Sequence, residues 1–514
     1  MYIYDCLYGK IEFPQKIIRC LLTPEMQRLR EVRLGNINSL CLTGSANINR
    51  YEHSIGTAYL AMVNERENKR RFQNQDKAPF IYAALFHDLA NGPFGHAYEY
   101  IVEKQGFVPE KSIGDVILGK TSGSHKKGTR LEPFYLGEPN EIGTVLSKEE
   151  IIAIDEIVSG RNVFCSKILS DVIDIDNIDN VYRMAFHMGI PIKKEIPEEL
   201  AKSIICKDNR IFFRESAVPY LYDWYETRKK VYNLLLFNPQ DFAAKCMLAE
   251  VMDAVLEKEP ERIKWFFTDS DLIDALRKIN EEYWDEIFVP IIQVEDIEDK
   301  LICEKLSEER TVKEGLNTIG IVVPEKAKLI PKEEDGKIYL SFYNTEYYYE
   351  KGTLYKKIRT PLNPVKTINR LMRGNLFACV GIYVTKQMNR IDLFSDYRMR
   401  RELEYECNGY LEKSLHKDYS IAFHAIVDKN KTNRQLEISL ETGECFTIGI
   451  NTQNLLIGAF LRNANYGLAK AGGVGEKTRQ EISKVVSEFL RGKGIECQEY
   501  QLYSEVEKIG ESNN

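Results

Sequence analysis

Apolar residues recur at helical spacing through the first half of the chain. This period predicts helices over residues 54–63, 80–89 and 168–188. The segment 80–89 follows Pro79, a residue that suits the first turn of a helix, and it is apolar over most of its length, which is typical of a core helix. Gly189 is expected to end the third helix.

The pattern changes to strand-like segments towards the C-terminus. Five segments predict strands, namely IGIVV, KIYLSFY, YSIAFHAIV, QLEISL and CFTIGI. A final helix is predicted over 478–492, and residues 119–145, which are rich in Gly, Lys and Ser, are predicted to form a long loop or lid. The predicted fold class is therefore mainly α, with a helical body over 1–255, a helical connector over 256–320 and a mixed α/β C-terminal lobe over 321–514.

Composition and charge narrow the class of protein. The 514 residues include 70 Lys and Arg against 77 Asp and Glu, a net charge of −7. This balance argues against a general nucleic-acid-binding protein but allows an anionic small substrate held by a few local cations. No apolar run approaches the roughly 18 residues of a membrane span, and Asp5 argues against a signal peptide. The 11 cysteines include no C-x-x-C pair, which is typical of free thiols, so we expect a cytoplasmic multidomain protein with no membrane partner.

Three of the seven histidines, His53, His87 and His96, lie close together in the sequence. Asp88 follows His87 near the end of a predicted buried helix, where an unpaired carboxylate would cost on the order of several kcal/mol. A divalent metal ion supplies a partner, and it binds imidazole nitrogens as well as carboxylate oxygens. With His53 and Asp176, which is predicted to lie mid-helix, these residues form a set of two histidines and two aspartates. Such a set leaves coordination positions open for water and a phosphate oxygen, as hydrolytic sites do.

A plainer interpretation of each residue stays open. A single His or Asp in a helix is most often a helix cap or a satisfied core residue, and the dipeptide His-Asp is common by chance. The metal site is favoured by the conjunction of R-Y-E-H, H-D-x-x-x-G-P-F-x-H and a later helical Asp, in that order.

Five segments resemble the HD-domain superfamily of metal-dependent phosphohydrolases, and within it the deoxynucleoside triphosphate triphosphohydrolases. In family order, they are TPEMQRLREVRLG, RYEHSIGTAYLA, HDLANGPFGH, IDIDNIDNVYRMAFHMGI and LYDWYETRKKVY. The resemblance covers residues 1–255 and implies a helical HD domain there. It implies that His53, His87, Asp88 and Asp176 bind a divalent metal ion, without distinguishing Mn, Mg, Fe, Ni or Zn.

The resemblance also implies roles for residues around the metal. Arg50 and Arg228 match arginines that contact phosphate, and a guanidinium suits phosphate oxygens. His96 matches the histidine beside the scissile phosphate, which acts as general acid or nucleophile. Arg50 and Asp88 join His96 as the implied catalytic residues.

Several nucleotide-binding positions depart from the family pattern. Asn91 and Pro109 stand in place of histidines, and Asn177 and Asn180 stand in place of a Lys and a Tyr that hold the triphosphate. Met184 and Leu236 stand in place of an Asp and a Tyr at the sugar. Arg33 stands near a Gln that discriminates deoxyribose. Glu110, beside Pro109, is retained. We count Arg33, Asn177 and Asn180 as candidate substrate-binding residues beside the two matched arginines. Lys126 and Lys127 are candidates for replacement positive charge.

By resemblance, the expected reaction is hydrolysis of a dNTP to a deoxynucleoside and triphosphate. The resemblance also implies a homo-oligomer controlled by an activating nucleotide. The QRLR segment at 27–30 matches one that contacts activator in relatives, although Leu22 replaces an Asp there. A role in nucleotide depletion or antiviral defence belongs to the same expectation. The departures leave two alternatives open, a phosphohydrolase for a different nucleotide or second messenger, and a catalytically altered HD protein that acts as a nucleotide sensor or scaffold.

Other conspicuous residues are interpreted as structural. Residues 467–478 resemble a phosphate loop only superficially, because Ala471 and Glu476 stand where that loop needs glycines. His416 and His424 are expected to be structural or exposed. Tyr347, Tyr348 and Tyr349 are expected to pack in a strand. Asp171, Asp174 and Asp179 are expected to be solvated or to lie beside the metal ligands.

Overall fold

The computed structural model describes most of the chain. The described residues are 2–35, 37, 48–95, 113–117, 142–259, 262–264, 266–279, 284–293, 330–334, 337–342, 345–350, 353–361, 363–417, 419–429, 431–432, 434–451, 453–465 and 475–500. The predicted features outside these ranges are His96, Pro109, Glu110, Lys126, Lys127, the strand at 319–323, most of the loop at 119–145 and most of the segment 467–478.

The first half of the chain is a helical body, which confirms the predicted fold class. Its described helices are α1 (Gln15–Leu21), α2 (Pro24–Arg28), α3 (Arg50–Glu67), α4 (Lys77–Phe86), α5 (Ile113–Ile117), α6 (Ile142–Val145), α7 (Lys148–Val158), α8 (Val163–Leu169), α9 (Ile175–His187), α10 (Ile196–Ser203), α11 (Val218–Phe237), α12 (Pro239–Lys258) and α13 (Asp269–Arg277). Short 3-10 turns cover Leu29–Glu31 and Glu215–Ala217. The predicted helix 54–63 lies inside α3, whereas the one predicted over 80–89 ends three residues earlier, at Phe86.

The α3–α4 pair forms the centre of this body. The side chain of Asn49 accepts a hydrogen bond from the backbone N–H of Glu52 and so caps the first turn of α3. The two helices pack directly against each other. The middle of each helix is buried, through Ala58 and Leu60 of α3 and Leu85 of α4, which are 0% exposed. Burial of these apolar residues, more than helix propensity, holds the two helices in place.

Two short hairpins interrupt the helices. β1 (Tyr2–Asp5) pairs with β2 (Gly9–Glu12), and β3 (Ile204–Lys207) pairs with β4 (Arg210–Phe213), both antiparallel. The second hairpin turns through Asp208 and Asn209, whose φ values of 51° and 59° are tolerated by these residue types. The sequence analysis predicted neither hairpin, because four-residue strands give little periodic signal.

The segment predicted as one helix over 168–188 is two helices, so that prediction is wrong. α8 ends at Leu169 and α9 begins at Ile175. Between them, the side chain of Asp174 accepts hydrogen bonds from the backbone N–H groups of Asp171 and Asn177 and caps α9. Asp176 therefore lies in the first turn of α9 and not mid-helix.

The C-terminal lobe is mixed α/β, as predicted. Its described elements are β5 (Trp284–Gln293), β6 (Ile330–Glu334), β7 (Lys337–Phe342), β8 (Thr345–Glu350), β9 (Thr353–Pro361), α14 (Pro364–Met372), β10 (Phe377–Thr385), a 3-10 turn (Met388–Arg390), α15 (Asp392–Ser395), α16 (Tyr397–Leu415), β11 (Ile421–Lys429), β12 (Leu436–Ser439), β13 (Cys445–Ile448), β14 (Gln453–Asn465), α17 (Glu476–Gly492) and β15 (Gln498–Glu499). The predicted strands within the described ranges and the final helix are confirmed.

Antiparallel pairing organises these strands into sheets. One sheet has the order β5-β9-β8-β7-β6, a second has the order β11-β14-β10-β15, and β12 pairs with β13. β5 falls inside the segment 256–320 that was predicted as a helical connector, so that segment is not wholly helical. The apolar run of β5 is compatible with either a helix or a strand, and it forms a strand because it pairs with the distant β9. The predicted domain boundaries stay a prediction.

The four-stranded sheet is buried on both faces. Along β14, Leu455 and Ile457 pack in a core with residues of α16 and α17, whereas Leu456 and Phe460 pack in the core of the helical body. This division follows the two-residue period of a strand. The lobe and the body therefore share an apolar core. None of the helices in the described ranges combines the length and apolar character that a bilayer crossing requires.

Candidate metal centre

Three helix ends meet in the helical body and carry the four predicted metal ligands. His53 lies in the first turn of α3, and Asp176 lies in the first turn of α9. His87 and Asp88 follow directly after the last residue of α4. The side chain of His53 is 1% exposed and that of Asp176 is 30% exposed, so the cluster is buried on one side and open on the other.

The potential donor atoms of these residues lie close together. Nε2 of His53 is 3.2 Å from Nε2 of His87 and 2.9 Å from Oδ1 of Asp176. Nε2 of His87 is 3.5 Å from the same Asp176 oxygen. Oδ2 of Asp88 is 3.8 Å from Nε2 of His53 and 3.6 Å from Nε2 of His87. In tetrahedral geometry, ligand bonds of about 2.0–2.2 Å place donor atoms about 3.3–3.6 Å apart, so small shifts would bring all four onto one cation.

The second nitrogen of each imidazole is held by an acceptor. Nδ1 of His53 lies 2.7 Å from Oδ1 of Asp179, and Nδ1 of His87 lies 2.8 Å from the carbonyl oxygen of Ala84. Because both partners accept hydrogen bonds, Nδ1 of each ring donates its proton to its partner, and a cation would bind at the Nε2 atoms. Metal-bound histidines are oriented in the same way.

Asp88 is oriented by two neighbours. Its Oδ1 accepts a hydrogen bond from Nδ2 of Asn91 at 2.9 Å. Its Oδ2 is buried, forms an ion pair with Nη1 of Arg50 at 2.7 Å, and makes no hydrogen bond of favourable geometry with any residue in the described ranges. A buried carboxylate oxygen facing two imidazoles is what a divalent cation needs as its fourth ligand.

The charges of the cluster favour a cation between the rings. Burial by itself would lower the pKa of His53, but Asp176 and Asp179 outweigh it and raise that pKa to about 10. Burial would also lower the pKa of His87, but the charges of Asp88 and Asp176 outweigh it and raise that pKa. The pKa of the Asp176 carboxyl is lowered against its burial by the two histidines. Three carboxylates, those of Asp88, Asp176 and Asp179, thus stabilise positive charge at the two imidazoles, so the donor set fits a divalent metal ion.

A buried ion network stands behind His53, and the sequence analysis did not identify it. The Asp179 carboxylate is 0% exposed and accepts hydrogen bonds from the Tyr8 hydroxyl at 2.8 Å and from Arg183 at 2.9 Å through both Nε and Nη2. Arg183, also 0% exposed, donates through Nη1 to Asp5 at 2.9 Å and to Glu52 at 2.8 Å. Asp179 therefore positions the imidazole of His53.

Only a glycine fits where this network crosses α3. A Cβ built on Gly56 would lie 2.0 Å from Oδ2 of Asp179 and 2.2 Å from Nη2 of Arg183. A sequence signal for the network existed in the i, i+4 spacing of Asp179 and Arg183 on a predicted helix. Asp179 was instead grouped with the aspartates expected to be solvated or to lie beside the ligands. It contacts a ligand and is not solvated.

Arg50 and Arg33 have different partners near the loop that follows Asp88. The Nη2 atom of Arg50 lies 2.7 Å from the position that a Cβ would take on Gly95, so the arginine rests on the loop after Asp88. Arg33 pairs instead with Asp269, 3.3 Å from its Nε. Asp269 also accepts a hydrogen bond from the backbone N–H of Phe94 at 2.8 Å, and its burial raises its pKa to about 6. The start of α13 is thereby tied to this loop.

The two asparagines predicted near the triphosphate have different surroundings. Nδ2 of Asn177 donates to Oδ2 of Asp174 at 2.7 Å, so its side chain belongs to the cap of α9. Asn180 lies one helical turn after Asp176, on the same side of α9. Its Oδ1 is buried and has no hydrogen-bond partner among the described residues.

Arg228 is buried in α11 and is bound by the C-terminal lobe. It donates through Nη1 to the carbonyl oxygen of Lys431 at 2.5 Å, and its guanidinium lies 4.8 Å from the ring centre of Tyr232. Burial raises the pKa of Tyr232, and the charges of Asp176 and Asp174 raise it further. α11 packs against α9, the helix that carries Asp176, so Arg228 and Tyr232 lie on a helix beside the one that contributes a ligand.

Comparisons with known proteins agree with this geometry. Residues 50–152 match the sequence model of the HD domain family. The chain is 26% identical over 262 residues to deoxynucleoside triphosphate triphosphohydrolase SAMHD1 of Bos taurus, an alignment covering 44% of this chain and 42% of that protein. It is 26% identical over 265 residues to the protein of that name from Homo sapiens, covering 45% and 40%. The chain thus spans about two fifths of the length of these curated relatives.

A solved structure shares the fold. The crystal structure of a phosphohydrolase from Bacteroides thetaiotaomicron has a TM-score of 0.53 and 13% sequence identity, and the match covers 90% of this chain and 100% of that one. The predicted resemblance to HD-domain phosphohydrolases is confirmed by these findings.

Proposed function

We propose that this chain is a metal-dependent phosphohydrolase that cleaves a nucleotide phosphoester, with a dNTP as substrate and a deoxynucleoside and triphosphate as products. The observation that carries the proposal is the convergence of His53, His87, Asp88 and Asp176 with their donor atoms facing one point. The similarity to enzymes named deoxynucleoside triphosphate triphosphohydrolases supports the substrate class.

The chain's own residues would divide the work at this site. His53, His87, Asp88 and Asp176 would hold a divalent cation, which when bound lowers the pKa of a water molecule and polarises a phosphate oxygen. Arg50 forms an ion pair with Asp88 through Nη1. A guanidinium at this position would stabilise the negative charge that develops on a phosphate oxygen in the transition state. His96 stays the predicted proton donor or nucleophile.

Several predicted substrate contacts are already engaged within the protein. Arg33 pairs with Asp269, Asn177 is bound to Asp174, and Arg228 donates to a backbone carbonyl. Asn180 lies one helical turn after Asp176, and its buried oxygen has no hydrogen-bond partner in the part of the chain that the structure describes, so it is the polar group best placed to contact a bound substrate. This arrangement supports the second candidate function, a phosphohydrolase for another nucleotide or a nucleotide sensor without turnover.

Activity against a panel of nucleotides tests the proposal. Purified full-length protein with Mn²⁺ is incubated with dNTPs, NTPs and cyclic dinucleotides, and the products are separated by chromatography. We expect triphosphate release from at least one dNTP, and a loss of about 100-fold or more in His87→Ala and Asp88→Ala. His416→Asn, which changes a histidine outside the site, is the matched control and should retain full activity.

The other outcomes distinguish the alternatives. Cleavage of a different phosphoester, lost in the same two variants, would keep the hydrolase and replace the substrate. A nucleotide that raises the melting temperature without being cleaved would favour the sensor. Activity that survives both substitutions would contradict the proposed site.

Assembly and regulation complete the proposal. We propose a homo-oligomer and an activating nucleotide, on the similarity of the segment at 27–30 to activator-binding segments. Light scattering at micromolar concentration, with and without dNTPs, tests both. A monomer under all conditions would contradict them.

A further inference from the structure

A second cluster of potential metal ligands lies at the first turn of α3. It consists of Cys6 in the turn after β1, Glu52 in the first turn of α3 and His187, the last residue of α9. We call these three residues the thiol site. None of them belongs to the HD ligand set, although Glu52 directly precedes His53 in the sequence.

The three donor atoms already lie at near-coordination distances. The Sγ of Cys6 donates to Oε1 of Glu52 at 2.9 Å and lies 3.6 Å from Nε2 of His187. Nε2 of His187 is 3.1 Å from the same Glu52 oxygen. For a tetrahedral zinc ion, bond lengths of about 2.3 Å to sulfur and about 2.0–2.2 Å to nitrogen and oxygen place sulfur about 3.6 Å from the other two ligands and nitrogen about 3.4 Å from oxygen. An increase of about 0.7 Å in the sulfur–oxygen distance and of about 0.3 Å in the nitrogen–oxygen distance would therefore complete three corners of the tetrahedron.

The charges around the thiol site are compatible with a bound cation. Arg183 is the buried cation of this region. It pairs with three carboxylates, those of Asp5, Glu52 and Asp179, and its Nη1 also donates to the Sγ of Cys6 at 3.7 Å. Carboxylate charge thus exceeds guanidinium charge in the network. Lys194, which binds the backbone carbonyl of Cys6 at 2.8 Å, is the second cation nearby. It does not contact the thiol or the Glu52 carboxylate in the described structure.

The thiol site is open to solvent on one side. Cys6 is exposed, and the side chains of Glu52 and His187 are 25% and 24% exposed. A cation can therefore enter without unfolding, and a water molecule can take the fourth position. Sites with three protein ligands and one open position are a common zinc arrangement.

We propose that Cys6, Glu52 and His187 form a second metal site, which takes a borderline-soft divalent transition-metal ion such as Zn²⁺ through sulfur, oxygen and nitrogen. The thiol selects against Mg²⁺ and Mn²⁺, which prefer oxygen ligands, so the two sites of the chain take different ions. On binding, the sulfur–hydrogen bond of Cys6 breaks, its proton passes to solvent, and the thiolate electron pair coordinates the metal. No electron is transferred.

Cobalt absorption tests the proposal, because the HD centre contains no sulfur. Full-length reduced protein is titrated with Co²⁺, and the near-ultraviolet sulfur-to-cobalt charge-transfer band is recorded. We expect a band that saturates at one equivalent per chain and is removed by Zn²⁺. It should disappear in Cys6→Ser and weaken in His187→Gln. It should persist in Cys445→Ser, the matched control, since Cys445 is the other exposed cysteine among the described residues. A wild-type protein without the band, or a Cys6→Ser protein with it, overturns the proposal.

A second measurement uses only the wild-type protein, so its result does not depend on whether the variants fold. Alkylation of the wild-type protein by a maleimide is followed at Cys6 and Cys445 by peptide mass spectrometry, with and without Zn²⁺. We expect Zn²⁺ to slow alkylation of Cys6 by about tenfold or more while leaving Cys445 unchanged, because coordination removes the attacking sulfur. Equal rates at Cys6 with and without Zn²⁺ overturn the proposal independently of phosphohydrolase activity.

Discussion

Nδ1 of His53 lies 2.7 Å from Oδ1 of Asp179, and both side chains are buried. Through this contact the metal centre is joined to the ion network of Arg183, Asp5 and Glu52. A carboxylate behind a metal-binding histidine fixes the ring and raises its basicity. The geometry of His53 therefore depends on residues contributed by three separate parts of the chain.

The first prediction concerns this carboxylate. Asp179→Asn should lower Mn²⁺ affinity by about 10–100-fold, because the amide is a weaker acceptor for His53 and pairs less well with Arg183. Isothermal titration calorimetry measures the affinity. Asp171→Asn, which removes a part-buried carboxylate paired with Lys167, is the control and should bind Mn²⁺ as the wild type does. Equal affinity in the two variants would show that Asp179 does not position the ligand.

Gly56 provides a stability test of the same network. Gly56→Ala should lower the free energy of unfolding by about 1–3 kcal/mol, because its Cβ would overlap two buried, paired side chains. Gly409→Ala in α16, where a Cβ meets nothing within 4 Å, should raise it by about 0.5–1 kcal/mol through helix propensity. Urea denaturation followed by circular dichroism compares the two. Stabilisation by both alanines would contradict the close packing at Gly56.

Gly95 allows the position of Arg50 to be tested separately from backbone strain. Its φ is +52°, and that of Gly160 is +82°, so alanine at either position should cost about 1–2 kcal/mol of stability. Only Gly95→Ala would displace Nη2 of Arg50, whereas a Cβ at Gly160 meets nothing within 4 Å. We therefore expect kcat/KM for the hydrolysed nucleotide to fall about tenfold or more in Gly95→Ala alone. Matching activity in the two variants would mean that the arginine's placement is unimportant.

A pH dependence is expected from His424 in β11. Burial lowers the pKa of His424 to about 3, and the charges of Arg400 and Lys245 lower it further. Because the ordinary pKa of about 6.5 lies above the folded-state value, the unfolded state takes up a proton first as the pH falls. The contribution of neutral His424 to the free energy of unfolding is therefore fully present above pH 6.5 and is lost as the pH falls towards 3. Replacement by Gln should remove this contribution, which changes by at most about 1.4 kcal/mol per pH unit.

Urea denaturation between pH 7 and pH 4 measures that contribution. The difference in unfolding free energy between wild type and His424→Gln should change with pH in this window. A constant difference would mean that the pKa of His424 is not lowered in the folded protein.

Much of the architecture could be predicted from sequence because it depends on neighbours along the chain. Helical periodicity located α3 and α4, Gly189 marked the end of α9, and strand-like segments located β7 and β11. The same local reasoning failed at residues 170–174. There the polar cap of Asp174 competes with helix continuation, and the apolar period hid the break.

The amino-acid sequence alone determined the helical class and the four residues that could share a cation, since donor chemistry and helix period are properties of short segments. Tertiary structure decided which polar groups are satisfied. It placed Asp179 behind His53, paired Arg33 with Asp269 and Arg228 with the carbonyl of Lys431, and brought Cys6 to His187. These partners lie tens to hundreds of positions apart. A buried charge takes whichever partner the packing of distant elements brings within hydrogen-bonding distance, and no local pattern encodes that choice.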